Sequence, residues 1–171
     1  MNRLSCPATL FLFAIFSISR ADAQSTDSTQ VYEALFSQEA SLGVDKTHFV
    51  REREGRFPIQ RVAYPVPFPD ELATHSSEDF GRINVSLVDE SFVSRLWESG
   101  CRDGWESFHQ RYPGAGELTQ ISQVLFSETA DEAFVYVEQG SGCQSSCGAT
   151  YRLSLQDREW VVAGRMFGWC S

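Results

Sequence analysis

The chain has 171 residues, 42% of them hydrophobic and 13% aromatic, with 14 basic against 23 acidic side chains and a formal net charge of −9. That length and apolar content suit one globular domain with a real core and exclude a disordered chain. The negative balance argues against nucleic acid or an anionic membrane as partner, because both require a positive footprint.

The chain opens with an export pattern. Arg3 supplies a positive start, residues 10–18 an apolar run, and Ala21-Asp22-Ala23 small residues at the two positions a signal peptidase inspects. Residues 1–23 therefore read as a signal peptide cleaved after Ala23, and the product as secreted or periplasmic. The apolar run is shorter than the roughly 20 residues that cross a bilayer, and no later segment approaches that length, so no membrane span is expected in the mature form. Cleavage would remove Arg3, Arg20 and Asp22 and leave the chain one unit more negative. Residues 24–29 read as a short polar leader and 30–171 as a single domain.

A helix is expected from about Gln30 to Leu42, where Val31, Leu35 and Tyr32, Phe36 recur four apart before Gly43. Residues 46–62 read as one or two extended strands around Gly55, and Tyr64–Pro69 as a proline-rich crossing segment that no central strand would tolerate. Ser76 and Asp79 have capping-box spacing and start a short helix ending near Asn84. Asp89 opens another, closed by Gly100, and a third runs from Asp103 with Trp105, Phe108 and Tyr112 on one face. The pattern then turns to strands over Leu118–Phe126, Ala133–Glu138, Thr150–Leu155 and Trp160–Phe167, with short connections. Helices first and strands afterwards give an α+β class, N-terminal helices packed on a C-terminal four-stranded antiparallel meander.

Cys101, Cys143, Cys147 and Cys170 remain after processing, an even number in an oxidising compartment, and read as two disulfides. Three pairings are open. Cys143–Cys147 within a hairpin, with Cys101–Cys170 joining helices to the C-terminus, is the favoured one. A redox pair would want a thiolate at a helix N-terminus, and a zinc site would want closer pairs; neither pattern is present, so no metal and no cofactor is expected.

The three histidines, His48, His75 and His109, sit in no nucleophile or metal motif. No catalytic residue is assigned. Candidate binding residues are Arg51 and Arg53, two arginines on one side of a strand, His109 on the third helix, and Gln144, Ser145 and Ser146 in the glycine-rich Gly140–Gly148 segment. Each has a plainer reading as solvated edge, structural histidine or hairpin tip.

The second half carries an ordered series of aromatics and turns. It runs Trp105-Glu-Ser-Phe108-His-Gln-Arg-Tyr112-Pro113, Gly116, Ile121-Ser122-Gln-Val124-Leu-Phe126-Ser, Ala133-Phe-Val135-Tyr136-Val137, Cys147-Gly148 and Trp160-Val161-Val162. This resembles a family of exported bacterial proteins over residues 100–171, and more loosely at Tyr32 and Asp79-Phe80 before that. The resemblance implies one α+β domain with a meander and brings no activity with it. The closing Trp160-Val-Val is also similar to the last strand of cone-shaped α+β pocket folds of the nuclear-transport-factor type, an analogy of fold alone. The expectation for function is an exported, disulfide-stapled module that binds a protein, peptide or small ligand without catalysis. The alternatives are a small secreted hydrolase with a pocket between helices and sheet, and a thiol–disulfide redox protein.

Overall fold

A computed structural model describes residues 27–39, 42, 47–52 and 74–171, with Phe167 described by its backbone alone. The expected signal peptide, the proline segment and most of the extended reading of 46–62 lie outside the described residues.

Helix α1 spans Ser28–Gln38. The Asp27 carboxylate caps it by accepting from the Thr29 N–H at 2.9 Å, so the helix starts two residues earlier than expected and stops four earlier. Its apolar stripe of Val31, Tyr32, Leu35 and Phe36 is fully buried. Strand β1 (His48–Arg51) follows, then a single 3-10 turn at Ser77–Phe80 where a longer helix was expected. The Ser76 N–H does donate to the Asp79 carboxylate at 2.7 Å, as the capping spacing implied. Strand β2 (Val85–Val88) comes next, unforeseen. Helix α2 (Glu90–Leu96) is capped by Asp89, and helix α3 (Cys101–Arg111) starts two residues before Asp103. Strands β3 (Leu118–Ile121), β4 (Leu125–Phe126), β5 (Glu132–Gly142), β6 (Ser145–Gln156) and β7 (Glu159–Cys170) complete the described chain.

The seven described strands form one mixed sheet in the order β2-β1-β3-β5-β6-β7, with β4 also paired to β5; isolated bridge positions fall at Thr74 and Ser122. Strand β1 runs parallel to both β2 and β3, while β3 and β4 against β5, β5–β6 and β6–β7 are antiparallel. The expected four-stranded antiparallel meander is therefore corrected. Its strands exist, but they are one side of a larger parallel-and-antiparallel sheet. Strand β1 falls where an extended strand was expected, whereas β2, also four residues long, is too short for alternation to announce it. The single strand expected over 118–126 is broken at Ser122, whose hydroxyl accepts from the Tyr136 N–H at 2.9 Å.

Helices cover both faces instead of one. On the first face α1 packs against Val135, Leu153, Tyr151, Trp160, Ile121 and Val50. Complete burial of a side chain such as Phe36 contributes about 1.5–3 kcal/mol. On the second face Val93 and Leu96 of α2 and Trp105 and Phe108 of α3 meet Val88, Leu118 and Phe49. Gly104 makes that contact possible, because a Cβ there would collide with the Leu96 carbonyl and the Trp97 ring.

Both disulfides sit at one end of the sheet. Cys101 at the start of α3 is bonded to Cys143 in the β5–β6 turn, and Cys147 of β6 to Cys170 of β7, with Cα–Cα separations of 5.7 and 4.2 Å. The favoured pairing is corrected accordingly. Cys143 and Cys147 belong to opposite sides of a turn, whereas Cys147 and Cys170 are direct cross-strand partners.

Candidate functional site

The β5–β6 hairpin, bonded at its turn to the start of α3 through Cys101–Cys143, presents different chemistry on its two sides. Cross-strand partners share a face. Val137 with Ala149, and Gln139 with Cys147, therefore lie on the first face, while Gly140 with Ser146 lie on the second.

On the first face the described wall of a cavity of about 320 Å³ contains no residue of α1. Its apolar floor is Val137, Ala149 and Tyr151, and the Cys147–Cys170 bridge closes one side. Polar groups converge from three strands and a loop: Gln139, Arg165, Glu117, Ser141 and Ser145. The Ser141 hydroxyl donates to that of Ser145 at 2.9 Å. The Nε2 of Gln139 is buried and has no hydrogen-bond acceptor, and its cross-strand neighbour Thr119 has an equally buried, unpartnered hydroxyl. Each such orphan costs about 1–3 kcal/mol relative to a satisfied group. Arg165 is exposed, with no hydrogen bond or ion pair among the described residues. Its guanidinium lies against Gly168, where an added Cβ would stand 3.1 Å from Nη2 and 3.2 Å from Nε.

Arg165 faces the cavity because of two irregularities in β7. The register slips once between Arg152 and Leu153 and again between Ala149 and Thr150. Strict alternation from Trp160 and Val162 would send Arg165 to the other face. The first bulge turns it inward beside Tyr151, and the second returns Gly168 and Cys170 to the same side.

The second side of the hairpin is aromatic. Trp97, 41% exposed, meets Trp105 edge-on at 5.5 Å, and a shallow recess of about 430 Å³ runs between them, the Cys101–Cys143 bridge and Ser146. Nearby, the Trp169 indole donates to the Tyr136 hydroxyl at 3.0 Å, and Tyr136 donates to Glu138 at 3.2 Å. That pair crosses directly over Gly148, where any Cβ would overlap both groups. A third depression lies between α1 and the β6–β7 turn. There Arg82 pairs with Glu33 at 3.3 Å and holds its carboxyl below the usual range.

The sequence candidates are dispersed. The Arg51 guanidinium is bound to Glu90 and to Gln120, each at 2.6 Å, and joins β1, β3 and α2. Arg53 lies outside the described residues. His109 projects from α3 into solvent with its ring 5.7 Å from that of Trp105. Gln144 is exposed in the β5–β6 turn, Ser145 lines the cavity, and Ser146 faces the tryptophan recess. The other two histidines are core residues. His48 packs edge-on against Phe36, and His75 lies between Tyr32 and Phe80 with Nε2 3.3 Å from the Ile121 carbonyl. Gln139 and Arg165 went unnoticed in the sequence. A polar side chain in the middle of a β-rich run is a signal, but its face depends on bulges that leave no local mark.

Among the described residues no helix is long and apolar enough to cross a membrane, and no three His, Cys, Asp or Glu side chains gather as metal ligands. No family model, curated protein or solved structure matches the chain.

Proposed function

We propose that this is an exported, non-catalytic binding domain that takes a small ligand in the cavity beside the Cys147–Cys170 bridge. The observation that carries this reading is the convergence of Arg165 and the acceptor-less amide of Gln139 on an apolar floor. A few fixed polar groups on an apolar surface are what a ligand site requires, and about 320 Å³ is at the small end of such sites. A hydrolase would need a histidine against a nucleophile and an acid. The described lining contains no histidine; His48 and His75 serve the core, and His109 is on the opposite side of the sheet. Two disulfides support an oxidising compartment, in keeping with the export pattern of residues 1–23.

The reading is tested by screening a library of small polar fragments while recording amide spectra of the labelled protein. Binding should move the signals of Val137, Cys147, Gly148 and Ala149 together. Shifts confined to other surfaces, or none at all, would remove the cavity as the site. For export, N-terminal sequencing of the protein recovered outside the cytoplasm should begin at Gln24; an intact Met1 would refute processing.

A further inference from the structure

We infer that the ligand of this cavity carries a carboxylate, received by the guanidinium of Arg165. The inference rests on the binding reading above and goes beyond it by naming the chemistry. Three features of the cavity converge on it.

The first is that Arg165, which borders the cavity, is a donor in want of an acceptor. Arg165 is held by no carboxylate or carbonyl among the described residues, and Gln139 Nε2 is buried without one. An ionised carboxylate is acceptor-only, planar, and matched to the fork of a guanidinium. The Thr119 hydroxyl across the strand has the same deficit on the same side of the sheet.

The second is the way Arg165 is placed. Two successive bulges bring it to the α1 face, and Gly168 leaves its exposed guanidinium room to lie against the strand. A surface arginine serving only solubility needs neither device.

The third is charge. Glu117 also borders the cavity and the chain as a whole is acidic, with a net charge of −9. A dianion such as a phosphate monoester would be repelled more strongly than a monoanion, so a carboxylate is favoured over a phosphate. The floor of Val137, Ala149 and Tyr151 would take a short apolar tail.

Two sources share this chemistry, a small organic acid and the free end of a peptide. Calorimetric titration of the oxidised protein with four probes separates them: phenylacetate, phenylacetamide, and acetyl-dialanine with a free or an amidated C-terminus. At least one acid should bind, and about tenfold or more tighter than its own neutral amide, the factor that one charge-assisted contact supplies. The better acid identifies the source. Arg165→Gln should lose about tenfold in acid affinity and leave amide binding unchanged. Gly168→Ala, which keeps the charge but lifts the guanidinium, should weaken the acid by a smaller factor. The acid–amide comparison in the unaltered protein stands even if a variant folds poorly.

Equal affinity for acid and amide, or full acid affinity in Arg165→Gln, would overturn the carboxylate assignment while leaving the cavity a binding site. Fragments that occupy the cavity while neither acid binds would do the same. Failure of both the acids and the fragment screen would overturn both readings.

Discussion

The two sides of the sheet are assembled by different means. Strands β5, β6 and β7 are 11 or 12 residues long and joined by two-residue turns, so each pairs with its neighbour in sequence. At the second turn both Asp157 and Arg158 have positive φ, the mirror-image geometry that suits a tight hairpin. Strands β1, β2 and β3 are four residues each, and their parallel partners are brought together by long crossings and the α2–α3 pair. The first side is specified by local sequence and the second by packing at a distance. The disulfide Cys101–Cys143 ties one to the other, from α3 to the β5–β6 tip, whereas Cys147–Cys170 stays within the local side.

The largest expected effect comes from cutting that tie. Cys101 and Cys143 are 42 residues apart, and a loop of that size is worth about 4 kcal/mol in the chain-entropy model. Urea unfolding of the Cys101→Ser/Cys143→Ser protein should show a loss approaching that figure, and a loss below about 1 kcal/mol would show that the two sides are held by packing alone.

A smaller effect probes the local side by itself. Gly148→Ala places a methyl group where the Tyr136 hydroxyl and Trp169 indole meet, and breaks their 3.0 Å hydrogen bond. Overpacking of this kind costs about 1–3 kcal/mol. Thermal melting should fall accordingly, with a change in indole fluorescence; an unchanged melt would mean that the pair does not cross Gly148.

The smallest effect sharpens the distant side. His75 donates its backbone N–H to the Glu52 carbonyl just after β1, and its ring approaches the Ile121 carbonyl of β3. Burial pushes this imidazole below its ordinary value of 6.5, against the pull of Ile121 and Asp79. The unfolded chain therefore takes up the proton first, and stability declines as pH falls from about 6.5 toward the depressed folded value. Hydrogen exchange at residues 48–51 and 118–121 should accelerate over this range before residues 145–156 respond. Simultaneous loosening of both sets, or no pH dependence, would break the distinction.

The same division explains what could be read in advance. The hairpins were legible because Tyr151, Leu153 and Leu155 alternate with polar neighbours, and α3 because Trp105, Phe108 and Tyr112 share one face. The caps at Ser76 and Asp89 were also legible, since a cap is a contact between near neighbours. Strand β2 was not, because the four residues Val85–Val88 contain too little periodicity to separate strand from loop, and the parallel pairing of β1 with β2 and β3 joins segments far apart in sequence. Spacing ranked the disulfide pairing wrongly, since it ignored the cross-strand register that sets Cys147 opposite Cys170. Of the residues lining the cavity, Ser145, Cys147 and Cys170 had been singled out in the sequence. Arg165 and Gln139 were hidden, because two bulges decide which way Arg165 faces and a neighbouring strand decides that Gln139 is buried.

The geometry of the hairpin end, with its polar cavity on one side and tryptophan recess on the other, depends on which sulfur atoms are joined. Peptide mapping of the unreduced protein by mass spectrometry measures this directly. Fragments linked through Cys101–Cys143 and Cys147–Cys170 are required; fragments linked through Cys143–Cys147 and Cys101–Cys170 would contradict the pairing and dismantle the cavity built on it.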